Sequence, residues 1–441
     1  MAKPIIALAT PPMKGALALI RTSGDGVFDI IDSLMPKAEI GKRRERGIYY
    51  GALKDDGKLI DLCVVFVYPA EVSPTGEDVV EISCHGSMLI VEEIVQAFLS
   101  RGAEYATRGE FSSRSFYNGK MDLVEAESVN DLINATTAEA KNLALLSLSG
   151  KTSKLVAPLK QEISEILALV EVNIDYPEYT DIEEATNDKI VDSCAKIRGS
   201  VAALIKEGRE GQIIREGVKV ALVGEPNVGK SSLLNALLSQ DKAIVSDIPG
   251  TTRDVVEGDL AIRGIAIKLL DTAGVRDTED VVEKLGVERS NKSIDEADLV
   301  IVILDASKDE TSNPLLDLTK NKKRIIVYNK ADLVSSKDDG KLYVSALEND
   351  IEPLKEAIFN SLSVSDSAYV TPSFSNAREL ALLKDIEANL RQAEEDAKMD
   401  LGADLISVSL QTAYNDARKL IGEDPTQDLT DEIFSRFCVG K

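Results

Sequence analysis

The strongest constraint on what this chain can fold into is one octapeptide, Gly224-Glu225-Pro226-Asn227-Val228-Gly229-Lys230-Ser231, which fits G-x-x-x-x-G-K-[ST]. It stands between a buried-strand run, Val218 to Val223, and a helix-like stretch, Ser231 to Leu238. A strand, a glycine-bearing turn and a helix in that order predict a parallel α/β sheet with a phosphate-binding loop at a strand end. The glycines let backbone N–H groups curl around phosphates. Lys230 would reach the β- and γ-phosphates and Ser231 would ligand magnesium. The same β/α alternation continues through Ile265 to Leu270, Leu299 to Leu304, Arg324 to Tyr328 and Leu342 to Val344.

Further motifs follow in the order a guanine-nucleotide site needs. Asp271-Thr272-Ala273-Gly274 ends a hydrophobic strand, where an Asp can hold magnesium and a glycine N–H can sense the γ-phosphate. Asn329-Lys330-Ala331-Asp332 follows another, and the Asp332 carboxylate can accept both the N1–H and the exocyclic amine of guanine. Ser345-Ala346-Leu347 completes the guanine side, and Gly250-Thr251-Thr252-Arg253-Asp254 reads as the switch segment. Together these resemble the motif set of translation-factor-class GTPases. After Gly274 come Val275, Arg276 and Asp277, so the water-orienting Gln of Ras-like enzymes is missing. Carboxylates at Asp277, Glu279, Asp280 and Glu283 are available instead. The Asn227 side-chain carbonyl can help hold a monovalent cation against the phosphates, or serve only as a turn former.

The rest of the chain sets the context. At 441 residues it has length for about three domains. Residues up to about 118 mix short β-like runs with helical stretches such as Leu89 to Ser100, which reads as a small α+β domain. Helical spacing follows from about Leu123 to Gly208 and returns after Ser373, so the α/β domain is expected to be inserted into an all-helical one. The expected boundaries are 1–118 for the N-domain, 119–215 with 374–441 for the helical domain, and 216–373 for the G domain. The acidic run Glu394 to Asp400 reads as a solvated helix face.

Lys+Arg 51 against Asp+Glu 75 gives a net charge of −24, which argues against indiscriminate nucleic-acid binding. Two basic clusters, Lys42-Arg43-Arg44-Glu45-Arg46 and Lys320-Asn321-Lys322-Lys323-Arg324, read as phosphate contacts or as solvated loops. The four cysteines, Cys63, Cys84, Cys194 and Cys438, form no C-x-x-C pair, and the single histidine, His85, excludes a multi-histidine metal site. His85 reads as structural or, less simply, as a base. No run approaches the ~20 apolar residues of a membrane span, and a cytoplasmic location, or one in an organelle descended from a bacterium, is expected.

Over essentially its whole length the chain resembles the tRNA modification GTPases of the MnmE (TrmE) family. The resemblance is carried by Ala9-Thr10-Pro11-Pro12, Ile20-Arg21-Thr22-Ser23-Gly24, Thr75-Gly76-Glu77-Asp78, Cys84-His85-Gly86, Gly109-Glu110-Phe111, Asn118 to Leu123, Gly250 to Asp254 and the terminal Phe437-Cys438-Val439-Gly440-Lys441. It implies a homodimer paired through its N-domains. With the FAD protein MnmG, that dimer would install an aminomethyl or carboxymethylaminomethyl group at C5 of the wobble uridine of certain tRNAs.

The resemblance also implies a formyl- or methylene-tetrahydrofolate site at Arg21, Glu81, Lys120 and Lys441. It implies potassium at Asn227, Ser246, Ile248 and Thr251, magnesium at Ser231 and Thr252, and Glu283 as the water-orienting catalytic carboxylate. Cys438 would act on the uridine or position the folate. GTP contacts would extend over Asn227 to Ser232, Ser246, Asp247, Ile248, Pro249, Gly250, Thr251, Thr252, Asp271 to Gly274, Asn329, Lys330, Asp332, Ser345 and Ala346. Met13, Ala16 and Ala18 depart from a usually glycine-rich segment, Pro74 from a common tyrosine and Arg108 from a common proline. Two other readings compete: a regulatory RNA- or ribosome-associated GTPase switch without modification chemistry, and a folate-binding scaffold whose G domain gates assembly.

Overall fold

The computed structural model describes residues 3–175, 187–240, 256–270, 292–308 and 313–441. They fall into two compact units, Met1–Asn130 with Arg418–Lys441, and Asp131–Ala417.

The first unit is built on a six-stranded sheet of β1 (Ile5–Leu8), β2 (Leu17–Ser23), β3 (Gly47–Asp55), β4 (Lys58–Tyr68), β5 (Val79–His85) and β6 (Glu104–Tyr105), in the order β3-β4-β5-β2-β1-β6. Every pairing is antiparallel except β1 with β6. Period-2 alternation puts Ala18, Ile20, Ile82, Cys84, Cys63, Val65 and Val67 on one buried face, under the helices Val27–Leu34 and Met88–Leu99. Each of these Ile and Val side chains contributes roughly 1.5–3 kcal/mol by leaving water. The opposite face carries Leu17, Arg21, Glu81, Ser83 and His85, aligned by the register Leu17↔His85, Leu19↔Ser83 and Arg21↔Glu81. β3, with two glycines and an exposed Ile48 and Tyr50, has no clear strand pattern in the sequence, and pairing with β4 determines it.

The second unit holds the other six-stranded sheet, of β7 (Val218–Gly224), β8 (Val256–Ile262), β9 (Ile265–Leu270), β10 (Leu299–Asp305), β11 (Arg324–Asn329) and β12 (Leu342–Tyr343), in the order β12-β11-β10-β7-β9-β8. β7 lies between β10 and β9, both parallel to it, and only the β8–β9 hairpin is antiparallel. All seven residues of β10 are buried, as the continuous apolar run Leu299 to Leu304 predicts for a strand covered on both faces. The carboxyl ends of β7, β10 and β11 therefore share one edge of the sheet, where open α/β folds bind ligands.

Long helices Val156–Asp175, Asn187–Glu216 and Ala377–Lys398, with residues 403–417 of the helix Ala403–Leu420, complete this unit. Asn376 starts the third of them with a capping box, accepting from Glu379 N at 2.8 Å while Glu379 accepts from Asn376 N at 3.1 Å. The chain returns from the G sheet across the Asn187–Glu216 helix at Gly208, where a Cβ would stand 2.2 Å from the Phe374 carbonyl oxygen. Only glycine allows that approach. Glu210, two residues along, fixes the returning segment by accepting from Ser365 N at 3.0 Å and from its hydroxyl at 2.5 Å.

The acidic run corrects the solvated-face expectation in part: Glu395 and Asp400 are exposed, but two of its carboxylates are not. Glu394 and Asp396 are 7% and 8% exposed, and Glu394 accepts from Arg198 at 2.6 Å and pairs with Lys398. Interhelical pairing with Arg198 is a long-range contact that charge pattern along one helix does not reveal.

Candidate functional sites

At the sheet edge of the second unit, the loop after β7 turns at Asn227 (φ 64°) and Gly229 (φ 93°) into the helix Lys230–Gln240. A side chain at Gly229 would also meet Asn329 Nδ2 at 2.3 Å. Asn329, 2% exposed, joins three loops: its Nδ2 donates to the Val228 carbonyl at 2.8 Å, and its Oδ1 accepts from Ala346 N at 3.1 Å. The Lys230 ammonium rests on the Gly224 carbonyl, and Asn227, Ser231 and Ser232 face solvent around the helix N-terminus. That arrangement leaves oriented N–H groups, one cation and hydroxyl and amide oxygens for a phosphate chain and its counter-ions.

On the base side, Asp332 is exposed and its Oδ1 accepts from the Ser345 hydroxyl at 2.6 Å. Ser345 Oγ accepts in turn from Glu348 N at 3.2 Å, so its proton is committed to Asp332. Val228, Gly229, Lys230, Ser231, Asn329, Lys330, Asp332, Ser345 and Ala346 thus come together on one sheet edge, as the sequence predicts. Ser246, Asp247, Ile248, Pro249, Gly250, Thr251, Thr252, Asp271, Thr272, Ala273, Gly274 and Glu283 lie outside the described residues.

Sequence reasoning missed Asp305, the last residue of β10. It is 2% exposed and receives Lys330 Nζ at 2.6 Å, Ser307 Oγ at 2.7 Å and Ser307 N at 3.0 Å. Burial alone would push this carboxyl up, but the Lys330 and Ser307 bonds outweigh it and hold the pKa at about 2. Lys330 sits at φ 64°, and its ammonium is fixed by Asp305 beside the guanine loop. A charged residue closing an otherwise apolar strand is the signal that could have found it.

A folded-state pKa below the unfolded value of 3.8 means stability that is fully present above about pH 4 and lost as pH falls toward 2. Asp305→Ala should therefore lower stability by about 2 kcal/mol near neutrality. Scanning calorimetry should show the gap to wild type narrowing below about pH 4, and a gap independent of pH would contradict this role for the pair.

In the first unit, Arg21 Nε donates to Glu81 Oε1 at 2.7 Å and Arg21 Nη1 donates to the Gly440 carbonyl at 3.1 Å. The end of the chain is docked by its backbone. Arg108 and Val439 form an antiparallel bridge, Gly109 N donates to the Cys438 carbonyl, and Phe111 N donates to the Lys441 carbonyl at 3.2 Å. The Cys438 thiol remains exposed. Arg21 and Glu81 thus lie beside the backbone of the tail that carries Cys438 and Lys441, whereas Lys120 Nζ donates to the Glu71 carbonyl at 3.1 Å. Arg21 and Glu81 present donors and acceptors that suit the polar edge of a heterocycle such as a pterin.

At the end of β5, Asp61, from the buried face of β4, accepts from His85 N at 2.9 Å and meets His85 Nδ1 at 2.7 Å. Burial pushes the Asp61 carboxyl up, and the His85 backbone and ring bonds outweigh it and hold the group below its usual range. Cys63 and Cys84 are pushed up to about 12 and about 11 by burial, with the Asp61 charge adding to both, so neither is a ready nucleophile. Among the described residues, no cluster of three His, Cys, Asp or Glu side chains could hold a metal, and no helix is long and apolar enough to cross a membrane.

A parallel sheet with a phosphate loop after its central strand, tied through Asn329 to an Asp332–Ser345 base clamp, defines a P-loop GTPase. The family model described as "GTP-binding protein TrmE N-terminus" matches residues 4–120, and that of the "MnmE helical domain" matches residues 123–438. The chain is 39% identical over 456 residues to the tRNA modification GTPase MnmE of Listeria welshimeri, covering 99% of each. It is 40% identical over 446 residues to that of Lactococcus lactis subsp. cremoris, covering 99% of this chain and 98% of the relative. The chain belongs to the MnmE (TrmE) family. Among solved structures it is similar to the G domain of the T. maritima FeoB iron transporter, with 33% identity, 33% of this chain and 98% of that one covered, and a TM-score of 0.25.

Proposed function

We propose that this chain is the GTP-hydrolysing subunit of a tRNA-modifying enzyme. Working with MnmG and a tetrahydrofolate one-carbon unit, it would add an aminomethyl or carboxymethylaminomethyl group at C5 of wobble uridine. The observation that carries the reading is the presence, in one chain, of the guanine clamp and of a docked C-terminal tail whose Gly440 carbonyl lies on Arg21 beside Glu81. A regulatory switch needs the first feature and has no use for the second.

In this reading residues 216–373 are the G domain, 1–118 the folate and dimerisation domain, and 119–215 with 374–441 the helical domain. Two copies would pair through their N-domains. Arg21, Glu81 and Lys441 would hold the folate, whose chemistry is the supply of one carbon, and Lys120 would reach its acidic tail. Lys230 would neutralise the β/γ-phosphates, and Ser231 with Thr252 would ligand magnesium. Asn227, with Ser246, Ile248 and Thr251, would hold potassium, and Glu283 would orient water. Oxygen donors at Asn227 and Ser231, exposed at the phosphate loop, fit both hard cations. A cytoplasmic location fits this role.

Replacing potassium by sodium should slow GTP hydrolysis by ~10-fold or more while leaving GTP affinity within a few-fold, because the cation would act on charge that develops in the transition state. Equal turnover in the two salts would remove potassium from the site.

A further inference from the structure

In a chain with net charge −24, residues 37–54 carry six Lys or Arg against two Glu. The structure fixes this segment at the β3 edge of the N-terminal sheet. Asp32 accepts from Ile40 N and Gly41 N, both at 2.7 Å, and Ile40 is fully buried. Glu39 and Arg44, at φ 48° and 46°, bracket the turn Ile40–Arg43. Lys42 pairs with Glu39, and Arg44 pairs with Asp78 and lies over the Phe28 ring. Lys37, Arg43 and Lys54 are exposed and make no ion pair among the described residues.

Beside this turn lies a cavity of about 600 Å³, lined by Met35, Pro36, Lys37, Tyr49, Tyr50 and Lys54 among others. Tyr50 is 72% exposed. Charge on an edge strand by itself serves to block strand pairing, but that purpose requires neither a cavity nor an uncovered aromatic ring. Unpaired cations at Lys37, at Arg43 on the rigid turn and at Lys54 on β3, around a tyrosine-lined hollow, match single-stranded RNA, whose phosphates seek Lys and Arg and whose bases stack on aromatic faces.

We propose that this edge is an RNA-docking surface, which places one unpaired base of the tRNA substrate against Tyr50 and its phosphates against Lys37, Arg43 and Lys54. The identity of the RNA as tRNA rests on the function proposed above. Because the turn is held before binding, little ordering entropy is lost on contact. An acidic peptide would use the charges and leave the cavity unfilled.

The test is fluorescence anisotropy of a fluorescein-labelled tRNA anticodon stem-loop titrated with the full-length protein, from about 50 to about 200 mM KCl. The combined Lys37→Glu, Arg43→Glu, Lys54→Glu variant should bind ~10²-fold more weakly at low salt, with the log–log salt slope reduced by about two to three. Tyr50→Ala should bind about tenfold more weakly with the slope unchanged. Both should keep wild-type GTP hydrolysis, which reports intact folding. Wild-type affinity and slope in the triple variant would overturn the proposal. So would unchanged RNA binding with reduced modification in cells, which would assign the surface to an acidic protein partner. The two readings fail separately: loss of RNA affinity in the variants, together with a wild-type chain that supports no uridine modification, would sink the tRNA function and leave the surface standing.

Discussion

Asp332→Asn should convert the nucleotide preference from GTP to xanthosine triphosphate. The carboxylate offers acceptors to the N1–H and exocyclic amine of guanine, and losing a charge-assisted bidentate contact of this kind costs about 3–4 kcal/mol, or ~10²–10³-fold in affinity. The Ser345 hydroxyl decides how the replacement amide turns. Its proton is directed at Asp332 because its oxygen already accepts from Glu348 N, so the amide oxygen should take the Ser345 side and the amide nitrogen should face the base. There it can donate to the extra carbonyl of xanthine and can no longer accept from guanine. Competition between the two triphosphates should show the reversal. Unchanged guanine selectivity would take Asp332 out of the base site.

Cys438→Ser should separate the chemistry from the GTPase. The thiol is exposed, and the tail that carries it is held by main-chain bonds from Gly109 and Phe111 and by the Arg21 guanidinium on Gly440. A serine keeps every one of those contacts. Thermal stability, GTP affinity and hydrolysis should therefore stay within a few-fold of wild type, while wobble-uridine modification falls by ~10²-fold or more, as expected when a nucleophile or a substrate-positioning sulfur is removed. Lys230→Ala should behave differently and lose hydrolysis and modification together, because its ammonium serves the phosphates.

What was legible in the sequence follows from the range of the contacts involved. The phosphate loop, Asn329 to Asp332 and Ser345-Ala346 are short motifs placed after apolar strands, and a parallel sheet necessarily collects such strand ends along one edge. The β10 strand was equally plain, since seven buried residues leave a continuous apolar run. Asp305 escaped because its role depends on Lys330, 25 residues later and just past the end of the neighbouring strand. β3 escaped because glycines and an open outer face blur the alternation, and its partner β4 supplies the order. The tail carries no local signal of where it docks. Its docking depends on Arg108, Gly109 and Phe111, more than three hundred residues earlier, and no local pattern encodes that. Glu394 makes the same point with opposite sign: an acidic run looks solvated until Arg198 on another helix arrives.

The central claim is that GTP hydrolysis at the Lys230 loop serves uridine modification through the Cys438 end of the same chain. Mass spectrometry of wobble-uridine nucleosides, in a strain deleted for this chain and complemented with wild type, Cys438→Ser or Lys230→Ala, tests it most directly. Wild type should restore the C5-aminomethyl-type nucleosides and neither variant should, with Cys438→Ser still hydrolysing GTP when purified. Full levels of the modified nucleosides in the deleted strain, or with both variants, would contradict it.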